Sequence, residues 1–368
     1  MVKASGITDG AASSGGDQAQ APLTPPAGLS PRERLAAYVR AVGRGPKLAR
    51  ALTAAEAADA LALILAGEAD PHQIGALLML LRYRGESPEE VTGFVQAARA
   101  SAGIGAAPGA KGGGDGGAGD AVDLDWPSYG AGRTRGAPWF LLSALALAAS
   151  GVRILMHGTN RFSAGPGIAD ALAAFSRAPA ADLGEARRQI ALAGFAYLPL
   201  AGLSPALDGL LNLRALLGVR SPLNTVARLL DPLDARAGID GVFHPAYIGL
   251  HLAVAAALDR PGLLVLKGGG GEAERNPLKP AVAQVHRRGR SPYELALPAL
   301  APAGARPPAG DVAALLDLWR EGRGPPAAAE IVIGTIALAL LALDRAPDAA
   351  AADEQAKAIW ARRPAARG

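Results

Sequence analysis

The sequence predicts an α/β fold: a small N-terminal helical bundle followed by a large α/β domain with a mainly parallel sheet. Three observations carry this expectation. Capping-box sequences open a series of amphipathic stretches near the N-terminus. Further on, short apolar runs that end in glycine alternate with longer Ala/Leu-rich stretches. Half of the 368 residues are apolar but only 4% are aromatic, so the interior has to be filled by Ala, Leu, Val and Ile at close helix and strand contacts. A chain of this length accommodates one large domain and a smaller partner.

The bundle is expected over residues 31–102. Ser30 with Glu33, Thr53 with Glu56 and Ser87 with Glu90 have the spacing at which a hydroxyl and a carboxylate satisfy the unpaired amides of a helix start, and Pro31 and Pro88 suit the first helical position. Behind them apolar residues recur on one face: Leu61, Ile64 and Leu65; Ile74, Leu77, Leu78 and Leu81; Val91, Phe94 and Val95. Residues 1–30 are rich in Gly, Ala, Ser, Pro and Gln and read as a disordered tail without the pattern of a secretory leader.

Residues 103–119 are Gly, Ala, Pro and Lys with one Asp, a composition that cannot bury enough surface to offset its ordering entropy, and they read as a flexible linker. The α/β domain follows over 120–368. Val152 to Met156 and Leu263 to Lys267 read as strands of a parallel sheet with helical crossovers. In such sheets functional groups collect where strand ends meet the next loops, here His157 to Gly167 and Gly268 to Pro277. No fixed-period repeat stands out.

Composition excludes several functions. There is no cysteine, so disulfides, thiolate nucleophiles and sulfur-ligated metals are ruled out, in keeping with a cytoplasmic location. The apolar runs Trp139 to Gly151 and Ile331 to Leu343 are short of the roughly twenty residues a bilayer span needs. A net charge of +4 and a pI near 9.5 suit a polyanionic partner.

The residues then point to a family. "MLLRYRGESPEEVTGFVQAAR" (79–99), "LMHGTNR" (155–161), "GFAYLPLAGLSPAL" (194–207) and "LRALLGVRSPLNTVARLLDPL" (213–233), in this order, resemble anthranilate phosphoribosyltransferase and the related pyrimidine nucleoside phosphorylases over about residues 31–360. The resemblance implies a nucleoside phosphorylase/phosphoribosyltransferase-like fold and a homodimer formed through the small helical domain.

The chain departs from the enzyme's motifs. Its Gly-Thr-Gly-Gly-Asp diphosphate loop corresponds to "SYGAGRTRG" (128–136), which keeps Gly130 and Gly132 but replaces the acid and adds Arg133 and Arg135. The Lys of Lys-His-Gly-Asn-Arg becomes Met156, and an extra residue shifts Asn160 and Arg161. The His-Pro of the next stretch is Ser204-Pro205. His157 has no carboxylate near it in sequence and reads as a structural histidine at a strand end. "LKGGGGEAERNP" (266–277) resembles the enzyme's Asp-Glu magnesium motif, with Glu272 and Glu274 nearest to it. These two either hold magnesium together with substrate phosphates or pair with neighbouring arginines.

Charge runs favour a nucleic-acid function. From Pro127 to Ala169 there is no acid, and from Arg275 to Arg290 five basic residues occur with none. A cleft is expected from Arg133, Arg135, Arg161, Arg214, Arg220, Arg275, Lys279, Arg287, Arg288 and Arg290, neutralising phosphates without sequence preference. Asp231 and Asp234 offset part of this charge. Tyr129, Trp139 and Phe162 are available either to stack bases or to fill the core. "DWPSYGAGR", "GVRILMHG" and "KGGGGEAERNP" resemble a second, non-biosynthetic branch of the family, which implies nucleic-acid binding, no cofactor and no transferase activity. The alternative is a phosphoribosyltransferase with a changed acceptor, in which Gly130, Gly132, His157 and Asn160 bind the ligand and Glu272 and Glu274 hold magnesium. A protein-binding scaffold is the third class.

Overall fold

The computed structural model describes residues 28–45, 47–105, 121–130, 136–163, 165–301 and 310–364. Most of the expected tail and linker, together with Gly132, Arg133 and Arg135, lie outside the described residues.

Four helices open the chain: α1 (Pro31–Gly43), α2 (Ala54–Leu65), α3 (Pro71–Arg84) and α4 (Pro88–Ser101). All three capping boxes form; at α4, Ser87 N donates to Glu90 Oε2 at 2.9 Å and Glu90 N to Ser87 Oγ at 3.2 Å. The capping glutamates also tie down the connections. Arg84 binds Glu90 at 2.5 Å and Leu52 N donates to it at 2.8 Å, while Arg50 binds Glu56 at 2.7 Å. The third helix begins on Asp70, whose carboxylate accepts from His72 N at 2.8 Å, with Pro71 at the first position.

The larger part follows as β1 (Leu124–Ser128), α5 (Trp139–Ala149), β2 (Ile154–Gly158), α6 (Ile168–Ala174), α7 (Leu183–Ala193), β3 (Phe195–Pro199), and then four short helices, α8 (Leu200–Leu203), α9 (Pro205–Leu211), α10 (Leu213–Leu217) and α11 (Leu223–Arg228). It continues with β4 (Ala237–Val242), α12 (Tyr247–Ala257), β5 (Gly262–Lys267), β6 (Ala281–Arg287), β7 (Arg290–Leu297), α13 (Val312–Glu321), α14 (Ala328–Ala342) and α15 (Ala349–Ala361).

The seven strands form one sheet in the order β3-β2-β1-β4-β5-β6-β7. The first five are parallel, and β6 and β7 add an antiparallel hairpin at one edge. Period-2 alternation sends neighbouring side chains to opposite cores, as a parallel sheet covered on both faces requires. Trp126, Met156, Ile239, Leu264 and Leu266 pack under α5, α14 and α15. Leu155, Leu198, Leu263 and Val265 face a second core that runs without a break into Leu35, Leu61, Leu78 and Phe94 of the bundle. Leu200, Leu207, Leu223 and Val226, from α8, α9 and α11, belong to this second core too. The mainly parallel sheet with an N-terminal bundle is as the sequence predicts.

The two long apolar runs are α5 and α14, packed on each other in the interior. No described helix is long and apolar enough to cross a membrane.

Candidate active site

Beneath the junction of bundle and sheet lies a buried polar layer. Since Leu124 and Trp126 point to one core, Asp125 of β1 points to the bundle side, and Asp240 of β4 does so by the same alternation. Asp125 Oδ1 lies 3.2 Å from His157 Nε2, and Asp125 Oδ2 accepts from Arg260 at 3.0 Å. The other imidazole nitrogen of His157 meets the Tyr129 hydroxyl at 2.9 Å. Asp240 is shared by His251 at 2.5 Å and Arg228 at 3.5 Å. Burial pushes the Asp125 carboxyl up, but His157 and Arg260 outweigh it and hold it below the usual range. His157 is completely buried, so it braces the strand ends, and its carboxylate partner comes from the neighbouring strand rather than from nearby sequence.

Three loops converge at the carboxyl ends of the strands. A Cβ on Gly130, just after β1, would lie 2.1 Å from Ser163 Oγ in the loop after β2 and 3.5 Å from Glu272 Oε1 in the loop after β5. Glycine is what lets these loops approach. Ser163 Oγ is buried and has no hydrogen-bond partner among the described residues. The Glu272 backbone is fixed by the same means: a Cβ on Gly268 would stand 1.7 Å from the Glu272 carbonyl oxygen.

Glu274 is placed elsewhere. Its Oε2 accepts from Phe140 N at 3.1 Å at the start of α5, whose N-cap Pro138 supplies no side-chain cap. Of the two glutamates, Glu272 alone faces Gly130. Asn160 donates to Gly165 O at 3.1 Å and packs on Gly167, shaping the loop that carries Ser163.

Next to this point is a cleft of about 350 Å³ between the end of α3, the α10–α11 segment and the end of β4. Arg82, Arg214, Arg220 and Arg228 line it. Arg214 lies over the Phe162 ring, 4.9 Å from its centroid, and Arg228 donates to Tyr129 O at 3.3 Å. The cleft is thus joined to both glycine-edge loops through the immediate neighbours of Ser163 and Gly130. Burial and the adjoining Arg214, Arg228 and Arg82 lower the pKa of Arg220, and burial raises that of Glu86 on the same wall.

Comparison with known proteins gives this arrangement a context. Residues 36–102 match the helical bundle domain of the glycosyl transferase family, and residues 140–360 match its a/b domain. The chain belongs to this family. An anthranilate phosphoribosyltransferase of Methylocella silvestris is 30% identical over 307 residues, which are 81% of this chain and 83% of that protein. Counterparts from Polynucleobacter necessarius and an Anaeromyxobacter strain are 29% and 31% identical, and the chain spans 58% and 62% of their lengths, under two thirds. In fold it is similar to the Thermus thermophilus anthranilate phosphoribosyltransferase, with a TM-score of 0.66 at 23% identity over 90% of this chain and 98% of that one. The yeast enzyme in complex with PRPP and Mg is similar with a TM-score of 0.62 at 15% identity over 89% and 94%.

Membership of the glycosyl transferase family overturns the nucleic-acid function expected from the charge runs, because the relatives and fold neighbours are phosphoribosyl-transferring enzymes. Four of the arginines invoked for that function, Arg161, Arg275, Arg287 and Arg288, are engaged in the fold. Arg275 is 1% exposed and binds Asp353 at 2.6 Å and Pro298 O at 2.8 Å. Arg161 pairs with Asp208 at 2.9 Å, and Arg288 with Asp259 at 2.9 Å. Arg287 donates to the last carbonyls of α14, Leu341 O at 2.6 Å and Ala342 O at 2.5 Å. Gly262 pairs with Arg287, which places Arg287, Arg288 and Arg290 beside the start of β5. That is the opposite end of the sheet from Gly130, so the expected continuous cleft is not formed. Lys279 is exposed before β6. Tyr129 and Trp139 are buried, and Phe162 is half-buried under Arg214.

Among the described residues of the predicted basic set, only Arg214 and Arg220 line the cleft. Sequence reasoning passed over Arg82, Ser163 and the pairing of Asp125 with His157. Arg82 sits within the family-like "MLLRYRGE" segment, which was the one signal for it.

Proposed function

We propose that this chain is a magnesium-dependent phosphoribosyltransferase that uses phosphoribosyl pyrophosphate and transfers to an acceptor other than anthranilate. The observation that carries the reading is the meeting of Gly130, the unpartnered Ser163 hydroxyl and Glu272 at the carboxyl ends of β1, β2 and β5. A bare glycine, a hydroxyl donor and one carboxylate are groups that a magnesium-bound diphosphate takes up. No cluster of three or more metal-ligating side chains occurs among the described residues, which fits magnesium, since it uses one or two carboxylates plus phosphate oxygens.

In this reading Glu272 holds the metal, Ser163 donates to a phosphate oxygen, and Gly130 lets the loop that carries Ser163 close in beside Glu272. Magnesium, when bound, neutralises charge on the departing diphosphate. The acceptor's lone pair forms a bond to the ribose anomeric carbon, the bond from that carbon to the diphosphate oxygen breaks, and the acceptor loses a proton. The buried pairs behind the site, Asp125 with His157 and Asp240 with His251, keep the strand ends rigid, which is how positioning contributes to the rate.

The acceptor side supports a changed substrate. Met156, in place of the family's lysine, is wholly buried in the sheet. Ser204, in place of its histidine, has its hydroxyl accepting from Leu207 N at 3.4 Å as the cap of α9. The reading also includes a homodimer through α1–α4, where Leu48 and Tyr83 are exposed.

Phosphorus NMR tests the proposal. In the presence of protein and magnesium the diphosphate resonances of phosphoribosyl pyrophosphate should broaden, with no inorganic pyrophosphate accumulating when anthranilate is added. Sharp, unshifted resonances contradict the reading.

A further inference from the structure

We propose that the arginine cleft takes an acceptor carrying a dianionic phosphate monoester on a small apolar body, an inference that rests on the transferase reading. Four guanidiniums, those of Arg82, Arg214, Arg220 and Arg228, line the cleft. Among the described residues, the carboxylates beside them are Glu86 on the wall and Asp240 behind Arg228. Four positive charges against two negative leave a net of two. A single carboxylate would leave one charge unmatched, whereas a phosphate monoester carries roughly −1.5 to −2 at neutral pH.

The state of the arginines points the same way. Arg214 Nη1 is buried with no hydrogen-bond partner among the described residues, and the Phe162 ring beside it offers a π face but no oxygen. Arg228 is buried and its bond to Asp240 is long, at 3.5 Å. Burial and the three neighbouring guanidiniums disfavour the charged form of Arg220, a repulsion that a bound dianion relieves. The planar fork of arginine binds two phosphate oxygens at once, so the cluster matches a group with three terminal oxygens.

The cleft is larger than a phosphate. At about 350 Å³ it falls in the range of small-molecule sites, and Val219 and Phe243 on its wall are 45% and 46% exposed. An apolar body attached to the phosphate would cover them. A phosphate could also come from the ribose donor itself, and the experiment separates the two sources.

Calorimetry on the full chain with phenyl phosphate and benzoate as probes compares a dianion with a monoanion on the same ring. Phenyl phosphate should bind at least about tenfold more tightly. Arg214→Gln and Arg220→Gln should each weaken it about tenfold, as loss of a charge-assisted contact implies. Saturation with phosphoribosyl pyrophosphate and magnesium should leave phenyl phosphate binding intact. Equal or tighter binding of benzoate overturns the proposal, as does absence of phenyl phosphate binding or its displacement by the ribose donor. The wild-type comparison decides the matter even if an arginine variant fails to fold. Failure of the ribose donor to bind, with phenyl phosphate still bound, removes the transferase reading alone.

Discussion

The guanidinium of Arg275 and the carboxylate of Asp353 form a buried ion pair, 2.6 Å from Nη1 to Oδ1, that fastens the loop after β5 to α15. Both side chains are nearly inaccessible, at 1% and 9% exposure. Asp353→Ala would strand a charged guanidinium in the interior, and removing one partner of such a pair costs about 3–5 kcal/mol. Urea denaturation should show a loss of that size. A change within about 0.5 kcal/mol, the usual size for a surface substitution, would mean that Arg275 finds water or another partner.

What could be read from the sequence follows the range of the interactions. Ser30 with Glu33, Thr53 with Glu56 and Ser87 with Glu90 are three residues apart, so their capping boxes depend on little beyond the local chain, and all three form. The apolar run at Leu263–Lys267 is likewise a strand. The partner of His157 was invisible because Asp125 reaches it across a strand pair, from 32 positions away. The segment 275–290 looked like a basic surface because a charge count ignores direction. Once Arg290 is placed across from Arg287 with Gly289 at φ +75° in the turn, Arg287, Arg288 and Arg290 lie at the far end of the sheet, while Arg275 is buried against Asp353. For the site, the glycines and Glu272 were legible as a loop after a strand, whereas Ser163 and the arginine cleft depend on how bundle and sheet meet.

Asp231 gives the protein a pH dependence of definite sign. Burial pushes its carboxyl up from 3.8 to about 6, against the pull of Arg260. Because the folded pKa lies above the unfolded one, the associated stability is present below about pH 4 and is lost as pH rises through about 6. Asp231→Asn keeps an acceptor for Ala235 N, bonded at 2.9 Å, and suits the positive φ of 43°. Thermal melts from pH 4.5 to 7.5 should show a smaller fall in stability for this variant than for the natural chain. Parallel curves would mean that Asp231 titrates normally.

The proposed dimer should appear in sedimentation velocity at micromolar concentration. Tyr83 on α3 is 94% exposed, and Tyr83→Asp should shift the distribution toward monomer without altering the melting temperature of the monomer. A natural chain that sediments only as monomer removes the dimer from the account.

Titration calorimetry with phosphoribosyl pyrophosphate, on the natural chain and on Glu272→Gln and Gly130→Val, tests the central claim most directly. Magnesium-dependent binding near one site per chain is expected. It should weaken at least about tenfold when the carboxylate is neutralised, the size expected for a lost contact to a charged group. It should weaken similarly when a side chain fills the space beside Ser163 Oγ, now 2.1 Å from where a Cβ would stand. No binding by the natural chain, or binding that ignores magnesium and both substitutions, would contradict the assignment.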